Sequence, residues 1–107
     1  ELATARHHGA AVIFIVVNNG MYGTIRMHQE RHYPARVIST GLTNPDFVTY
    51  AASFGIPGEA VNRTEDFAAA LERARASDAG YLIELVVDPE ALTPVQTLPQ
   101  ARAQGAG

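Results

Sequence analysis

The chain has 107 residues, 47% of them hydrophobic and 18% charged, which is the size of one domain with enough apolar material for a core. Eight Lys and Arg against eleven Asp and Glu give a formal charge of -3 without a basic run, so attraction to a nucleic-acid phosphate backbone is excluded as a leading function. There is no cysteine for disulfides, thiolate metal sites or thiol catalysis, and the longest apolar run, residues 10–17, falls far short of the ~20 residues that span a bilayer. The expectation is a soluble, cytoplasmic, globular domain whose partners are neither nucleic acid nor membrane.

Taken in order, the chain opens without an initiator Met on Glu1-Leu2-Ala3-Thr4-Ala5-Arg6, which reads as the middle or end of a helix that Gly9 stops. The segment is therefore expected to be a piece of a larger protein. Residues 10–17 form a continuous apolar run rich in β-branched side chains, the pattern of a strand covered on both faces. Turn residues follow from Asn18 through Gly23, then a helix-compatible stretch from Thr24 to about His32 that Pro34 ends, and a connecting loop over residues 35–43. Asn44-Pro45 places a capping residue before a proline at the first helical position, and Phe47, Tyr50, Ala51 and Phe54 recur at helical spacing before Gly55. A short strand is expected over residues 58–61 and a helix capped by Thr64, with Phe67, Ala70, Leu71 and Ala74 as its buried stripe. Residues 81–87 read as the last strand, ended by Asp88-Pro89. From about Pro94 the chain is rich in Pro, Gln, Ala and Gly without periodicity, and a flexible tail or one packed on something outside the segment is expected.

This order of elements predicts an α/β fold, part of a doubly wound parallel sheet flanked by helices. In such sheets ligands bind beyond the carboxyl ends of the strands, which directs attention to Asn18-Asn19-Gly20-Met21-Tyr22-Gly23. An Asn side-chain oxygen and a free backbone carbonyl are hard neutral donors suited to Mg²⁺, and the glycines let backbone approach a phosphate. The alternative from local chemistry is an Asx-turn, in which the asparagines only bond their own backbone.

The segment Glu1-Leu2-Ala3-Thr4-Ala5, the strand Val12-Ile13-Phe14-Ile15-Val16-Val17, the turn Asn18-Asn19-Gly20-Met21-Tyr22-Gly23-Thr24-Ile25, then Asn44-Pro45-Asp46-Phe47, Leu82-Ile83-Glu84-Leu85 and Asp88-Pro89 together resemble the second half of the diphosphate-binding domain of thiamine-diphosphate enzymes of the acetolactate synthase and 2-oxo acid decarboxylase group. The resemblance implies thiamine diphosphate and Mg²⁺ as cofactors, with FAD bound elsewhere in some relatives, and a 2-oxo acid substrate. It also implies a partnership with the remainder of the parent chain in a homodimer or homotetramer. Residues 1–93 would be the C-terminal half of that domain, and residues 94–107 its flexible tail. By the same match Asn19 would offer its side-chain oxygen and Met21 its carbonyl to the metal, Asn18 would help set the turn, Gly20, Tyr22 and Gly23 would lie against the diphosphate, and Thr24 and Ile25 would face the thiazolium and substrate. The anionic metal ligand, the aspartate of a Gly-Asp-Gly motif, and the glutamate that activates the cofactor both fall outside these residues, so no catalytic residue is assigned here.

The substrate is less clearly marked by the resemblance. Acetolactate synthases typically carry tryptophan where His28 falls and glutamine where Gln29 falls, and related decarboxylases often carry a catalytic glutamate where Ile25 falls. Glu30 has no motif match and reads as a solvated helix carboxylate; Arg26 and Arg31 read as a solvated helix face in preference to an acidic-substrate contact. His28 and His32 share a helix face, yet a third zinc ligand is missing from the pattern, and His7-His8 suit the negative end of the first helix. The competing functional classes are a non-catalytic α/β interaction module and a small phosphate-binding domain unrelated to thiamine.

Overall fold

The computed structural model describes all of residues 1–107, and the chain divides into two compact units: residues 1–18 with 44–86, and residues 19–43 with 87–107. The first holds α1 (Leu2–His7), β1 (Ile13–Asn18), α3 (Phe47–Ser53), β2 (Gly58–Val61), a 3₁₀ turn (Thr64–Asp66), α4 (Phe67–Arg75) and β3 (Tyr81–Val86). The second holds α2 (Gly23–His32), β4 (Ala91–Thr93), β5 (Gln96–Thr97) and α5 (Leu98–Ala106).

In the first unit the strands form a parallel sheet in the order β1-β3-β2, with Ile15 opposite Ile83 and Ala60 opposite Glu84. Alternate residues of a strand face opposite sides, so the sheet builds two cores. On one side Leu82, with Phe14 and Val16 beside it, packs against Leu2 of α1 and Ala51 of α3 together with Ile56; on the other Ile83 and Val61 pack against Ala70 and Ala74 of α4. Helices on both faces of a parallel sheet are the expected α/β arrangement, and the stripe Phe67, Ala70, Leu71 and Ala74 lies where the periodicity put it.

β1 is not covered on both faces. It is an edge strand, and Ile15 and Val17 on the α4 side are exposed, because α4 packs over the β2 and β3 half of the sheet. The glycine stops are as expected: α1 and α3 both close with the paired backbone bonds of a Schellman motif, Ala10 N–H to the Ala5 carbonyl at 2.9 Å and Ile56 N–H to the Ala51 carbonyl at 3.1 Å. Two caps differ from expectation. The N-cap of α3 is Asp46, whose carboxylate accepts from Thr49 N–H at 2.9 Å and is held below the usual carboxylate range by that bond, while Asn44 is engaged elsewhere. Thr64 starts a 3₁₀ turn, with α4 following at Phe67, so its hydroxyl caps no helix.

In the second unit residues 94–107, expected as a flexible tail, carry regular structure. Residues 91–97 make a short antiparallel hairpin, and Thr97 caps α5 with a full capping box: its side chain accepts from Gln100 N–H, and the Gln100 side chain accepts from Thr97 N–H at 2.8 Å. Leu98 and Ala101 are fully buried. α5 crosses α2 at Gly105, where any Cβ would fall well inside contact distance of the Arg31 carbonyl oxygen.

Glu30 is also corrected. Its side chain is completely buried, and Arg102 of α5 donates to it through Nε and Nη2 at 2.9 and 2.7 Å, while Ala35 N–H donates at 3.0 Å. The Arg102 guanidinium, outweighing the cost of burial, pulls the carboxyl down to about 2. Sequence gave no sign of this, because the partner lies far along the chain. Arg26 and Arg31 are half-buried as well: Arg26 Nη1 lies 3.7 Å from Met21 Sδ and Nε 3.9 Å from Glu30, and Arg31 donates to Gln96. The His28 and His32 rings stack 6.4 Å apart.

Candidate functional site

β1 delivers the chain to the turn through Asn18, its last residue. Within the first unit the Asn18 carboxamide donates to Glu84 Oε1 at 2.7 Å and accepts from Asn44 Nδ2 at 2.9 Å. A strand end, its neighbour β3 and the approach to α3 are thereby joined by one side chain. Asn44, expected as a helix cap, serves this junction instead.

The turn proper belongs to the second unit. Asn19 Oδ1 accepts from Met21 N–H at 3.1 Å, closing an Asx-turn, and Gly20 takes the left-handed conformation with φ +69° that this reversal requires. Residues 20–22 then pair with residues 40–42 as a minimal antiparallel ladder: Tyr22 N–H donates to the Thr40 carbonyl at 2.8 Å and Leu42 N–H to the Gly20 carbonyl at 2.9 Å, with Met21 opposite Gly41. In such a ladder the residue flanked by both bonds turns its own N–H and C=O away from the partner strand. The Met21 carbonyl therefore points to the same side as its N–H, which is the side of Asn19 Oδ1. Two hard, neutral oxygens thus share one side of the turn.

α2 starts immediately afterwards. Its N-cap, Tyr22, makes no side-chain cap and its first turn holds no acidic residue, so the positive end of the helix is left for an external acceptor. Gly23 leaves room for a close approach: a Cβ there would meet Asn19 Nδ2 at 2.8 Å, so the side-chain amide would have to shift. The Asn19 amide thus lies over the first residue of the helix. Beside it is a cleft of about 290 Å³ lined by Asn19, Gly23, Thr24 and Met27 and closed by Ala91, Leu92 and Thr93 of β4. Tyr22 and Ile25 are about half exposed.

These observations fit Mg²⁺ and a diphosphate in donor type, since an amide oxygen and a backbone carbonyl are what that metal accepts from protein and uncapped N–H groups are what phosphate oxygens accept from. No Asp or Glu occurs in residues 18–29, and nowhere do three or more His, Cys, Asp or Glu side chains come together to hold a metal. An anionic ligand for such a metal would have to come from outside this turn. The sequence pattern brought out the turn itself, whereas it missed β4 as a wall of the cleft, because three residues are too few to show alternation. It also missed the return segment 40–42, which acts through backbone bonds.

The family described as "Thiamine pyrophosphate enzyme, C-terminal TPP binding domain" matches residues 1–85. The acetolactate synthase isozyme 2 large subunit of Escherichia coli (strain K12) is 33% identical over 89 residues, covering 82% of this chain and 16% of the relative. A probable acetolactate synthase 2, chloroplastic, from Oryza sativa subsp. japonica is 36% identical over 97 residues, 81% of this chain and 15% of the relative. A probable acetolactate synthase large subunit from Methanocaldococcus jannaschii is 28% identical over 96 residues. The chain spans about 16% of the length of the relatives it matches.

Proposed function

Since the chain belongs to the thiamine pyrophosphate enzyme C-terminal TPP-binding domain family, we propose that its turn at residues 18–25 supplies one wall of the Mg²⁺-diphosphate site of an acetolactate synthase-like enzyme acting on 2-oxo acids. Asn19 Oδ1 and the Met21 carbonyl are the two neutral metal ligands. Asn18 anchors the entry to the turn, Gly20, Tyr22 and Gly23 lie against the diphosphate, and Thr24 and Ile25 face the thiazolium and substrate. When bound, thiamine diphosphate supplies the electron sink for the carbanion left by decarboxylation of a 2-oxo acid, and Mg²⁺ offsets the charge of the diphosphate. This chain's residues bind and orient. The aspartate ligand and the activating glutamate belong to residues beyond these 107, so activity requires the rest of the parent protein, read here as a cytoplasmic homodimer or homotetramer.

One observation carries the reading: Asn19 Oδ1 and the Met21 carbonyl share one side of a turn that runs straight into the uncapped start of α2. The test is Asn19→Ala in the full-length protein, with thiamine diphosphate binding titrated against Mg²⁺ by calorimetry. Loss of one ligand oxygen is expected to raise the half-saturating Mg²⁺ concentration about tenfold or more, as for a lost charge-assisted contact of ~1.4 kcal/mol. Unchanged Mg²⁺ dependence would overturn the assignment, as would tight binding of the cofactor by these 107 residues alone.

A further inference from the structure

Gln29 makes a bond pattern that neither the turn nor the cleft uses directly. Its Nε2 donates to the Ile38 carbonyl at 3.0 Å and its Oε1 accepts from Ile38 N–H at 3.1 Å, so one side-chain amide reads both polar groups of one backbone residue. This is the exchange that two residues of an antiparallel ladder make with each other. Among side chains of this length only a primary carboxamide offers a donor and an acceptor in that geometry at neutral pH; leucine offers neither and glutamate lacks the donor.

The clamped segment has little else to hold it. Ile38 is 70% exposed, and Ser39 sits in the left-handed region at φ +57°, a conformation costly for a residue with a Cβ. Burial holds Thr40 but not residues 38 and 39 before it, so polar bonds must hold those. Directly after it come the Thr40 carbonyl and Leu42 N–H, the two groups that pair with the turn at Tyr22 and Gly20. α2 leads back from that turn to Gln29 as one continuous helix. The path is closed: turn, helix, Gln29, Ile38, residues 40–42, and the turn again. Adjacent Glu30 holds Ala35 N–H on the same return path, so two neighbouring side chains of α2 brace the loop at two points.

We propose that Gln29 is a positioning residue for the Met21 carbonyl: by clamping Ile38 it fixes residues 40–42 against residues 20–22 and so holds that carbonyl, with Asn19 Oδ1, preplaced for a divalent cation. The inference rests on the metal-site reading above and adds to it a residue outside the turn. Preplacement matters because Mg²⁺ tolerates little departure from octahedral geometry, so ligands that must first be ordered bind it more weakly.

The test compares Gln29→Leu, Gln29→Glu and Asn19→Ala in the full-length protein, with two readouts. One is hydrogen exchange of the Tyr22 and Leu42 amides without cofactor; the other is the Mg²⁺ concentration that half-saturates thiamine diphosphate binding, checked with Mn²⁺ binding by electron paramagnetic resonance. Gln29→Leu is expected to speed exchange at both amides about tenfold and to raise the half-saturating metal concentration three- to tenfold. Gln29→Glu is expected to behave likewise at neutral pH and to regain slow exchange, after correction for intrinsic rates, as the introduced carboxyl protonates near ~4.3 and again carries a donor. General loss of stability would not show that recovery, and Gln29→Glu keeps the question answerable if the leucine variant fails to fold. Unchanged exchange in Gln29→Leu, or faster exchange with an unaltered metal requirement while Asn19→Ala raises it, would overturn the role of Gln29 and leave the metal site standing. If neither Gln29→Leu nor Asn19→Ala changes the metal requirement, the site reading and this inference fall together.

Discussion

Removing the Arg102 guanidinium should undock α5 locally, and the size of the effect follows from the state in which it leaves Glu30. That carboxylate is fully buried and keeps only the Ala35 N–H and, at 3.9 Å, Arg26 once Arg102 is gone. Stranding one member of a buried pair costs roughly 3–5 kcal/mol. The Arg102 side chain is 41% exposed, so water screens the pair and can reach the site when Arg102 is truncated, which lowers the expectation for the stranded carboxylate to about 2 kcal/mol. That is about a 30-fold change in a local opening equilibrium, at ~1.4 kcal/mol per factor of ten. Hydrogen exchange over residues 98–106 in Arg102→Ala should therefore lose about 30-fold of its protection at pH 7. The pH dependence has a fixed sign. A carboxyl whose folded value is depressed gives its full stabilisation above about 4.5 and loses it as the pH falls toward about 2, so the difference between Arg102→Ala and the unaltered protein should shrink across that window. Unchanged protection of α5 at pH 7, or a difference that grows on acidification, would refute the buried-pair account.

Two further substitutions probe the turn and a cap. In Gly23→Ala the new methyl would meet Asn19 Nδ2 at 2.8 Å and force the amide aside, so the Asn19 to Met21 bond, worth about 1 kcal/mol, should be lost and the half-saturating Mg²⁺ concentration should rise about fivefold in the calorimetric titration. Gly20→Ala meets no atom within 4 Å and bears only the backbone cost of its left-handed conformation, which makes it the control for crowding. For α3, Asp46→Ala should speed exchange of the Thr49 amide several-fold while Asn44→Ala leaves it alone; the reverse order would restore Asn44 as the cap.

What sequence makes legible here is whatever is encoded within one stretch of chain. β1 and β3 are apolar runs bounded by turn residues, β2 is a short stretch between Pro57 and Asn62, and the stripe Phe67, Ala70, Leu71 and Ala74 is a helical period; all form where read, although β1 is covered on one face only. The turn at Asn18 and Asn19 is equally local. α5 escaped because its inward side is Leu98, Ala101 and Gly105, and two of those three are too small to register as a hydrophobic stripe. Yet Thr97 followed three residues later by Gln100, with Pro99 between, was a readable capping box. Asn44-Pro45 misled for the opposite reason: a good local signal was drawn away by Asn18, a partner distant in sequence, and Asp46 took the cap. Glu30 was the least legible. A carboxylate on a helix is solvated by default, and only the docking of Arg102 reverses that default.

The turn chemistry also dissolves an opposition that sequence alone sets up, between an asparagine that merely closes an Asx-turn and one that ligates a metal. The structure has the Asx-turn, with Asn19 Oδ1 accepting from Met21 N–H. An amide oxygen carries two lone pairs, and one N–H occupies one of them. The bond therefore leaves acceptor capacity on the oxygen while removing the side chain's freedom to rotate, and it does so from the same residue whose carbonyl lies on that side of the turn. Gly23 adds to the constraint by leaving room for the amide nitrogen over the start of α2. Ordering a side chain on binding would otherwise cost about 0.5–1.5 kcal/mol, so an asparagine already fixed by the turn is the better ligand for a cation strict in geometry. The ordinary turn is the means by which the site would be prepared.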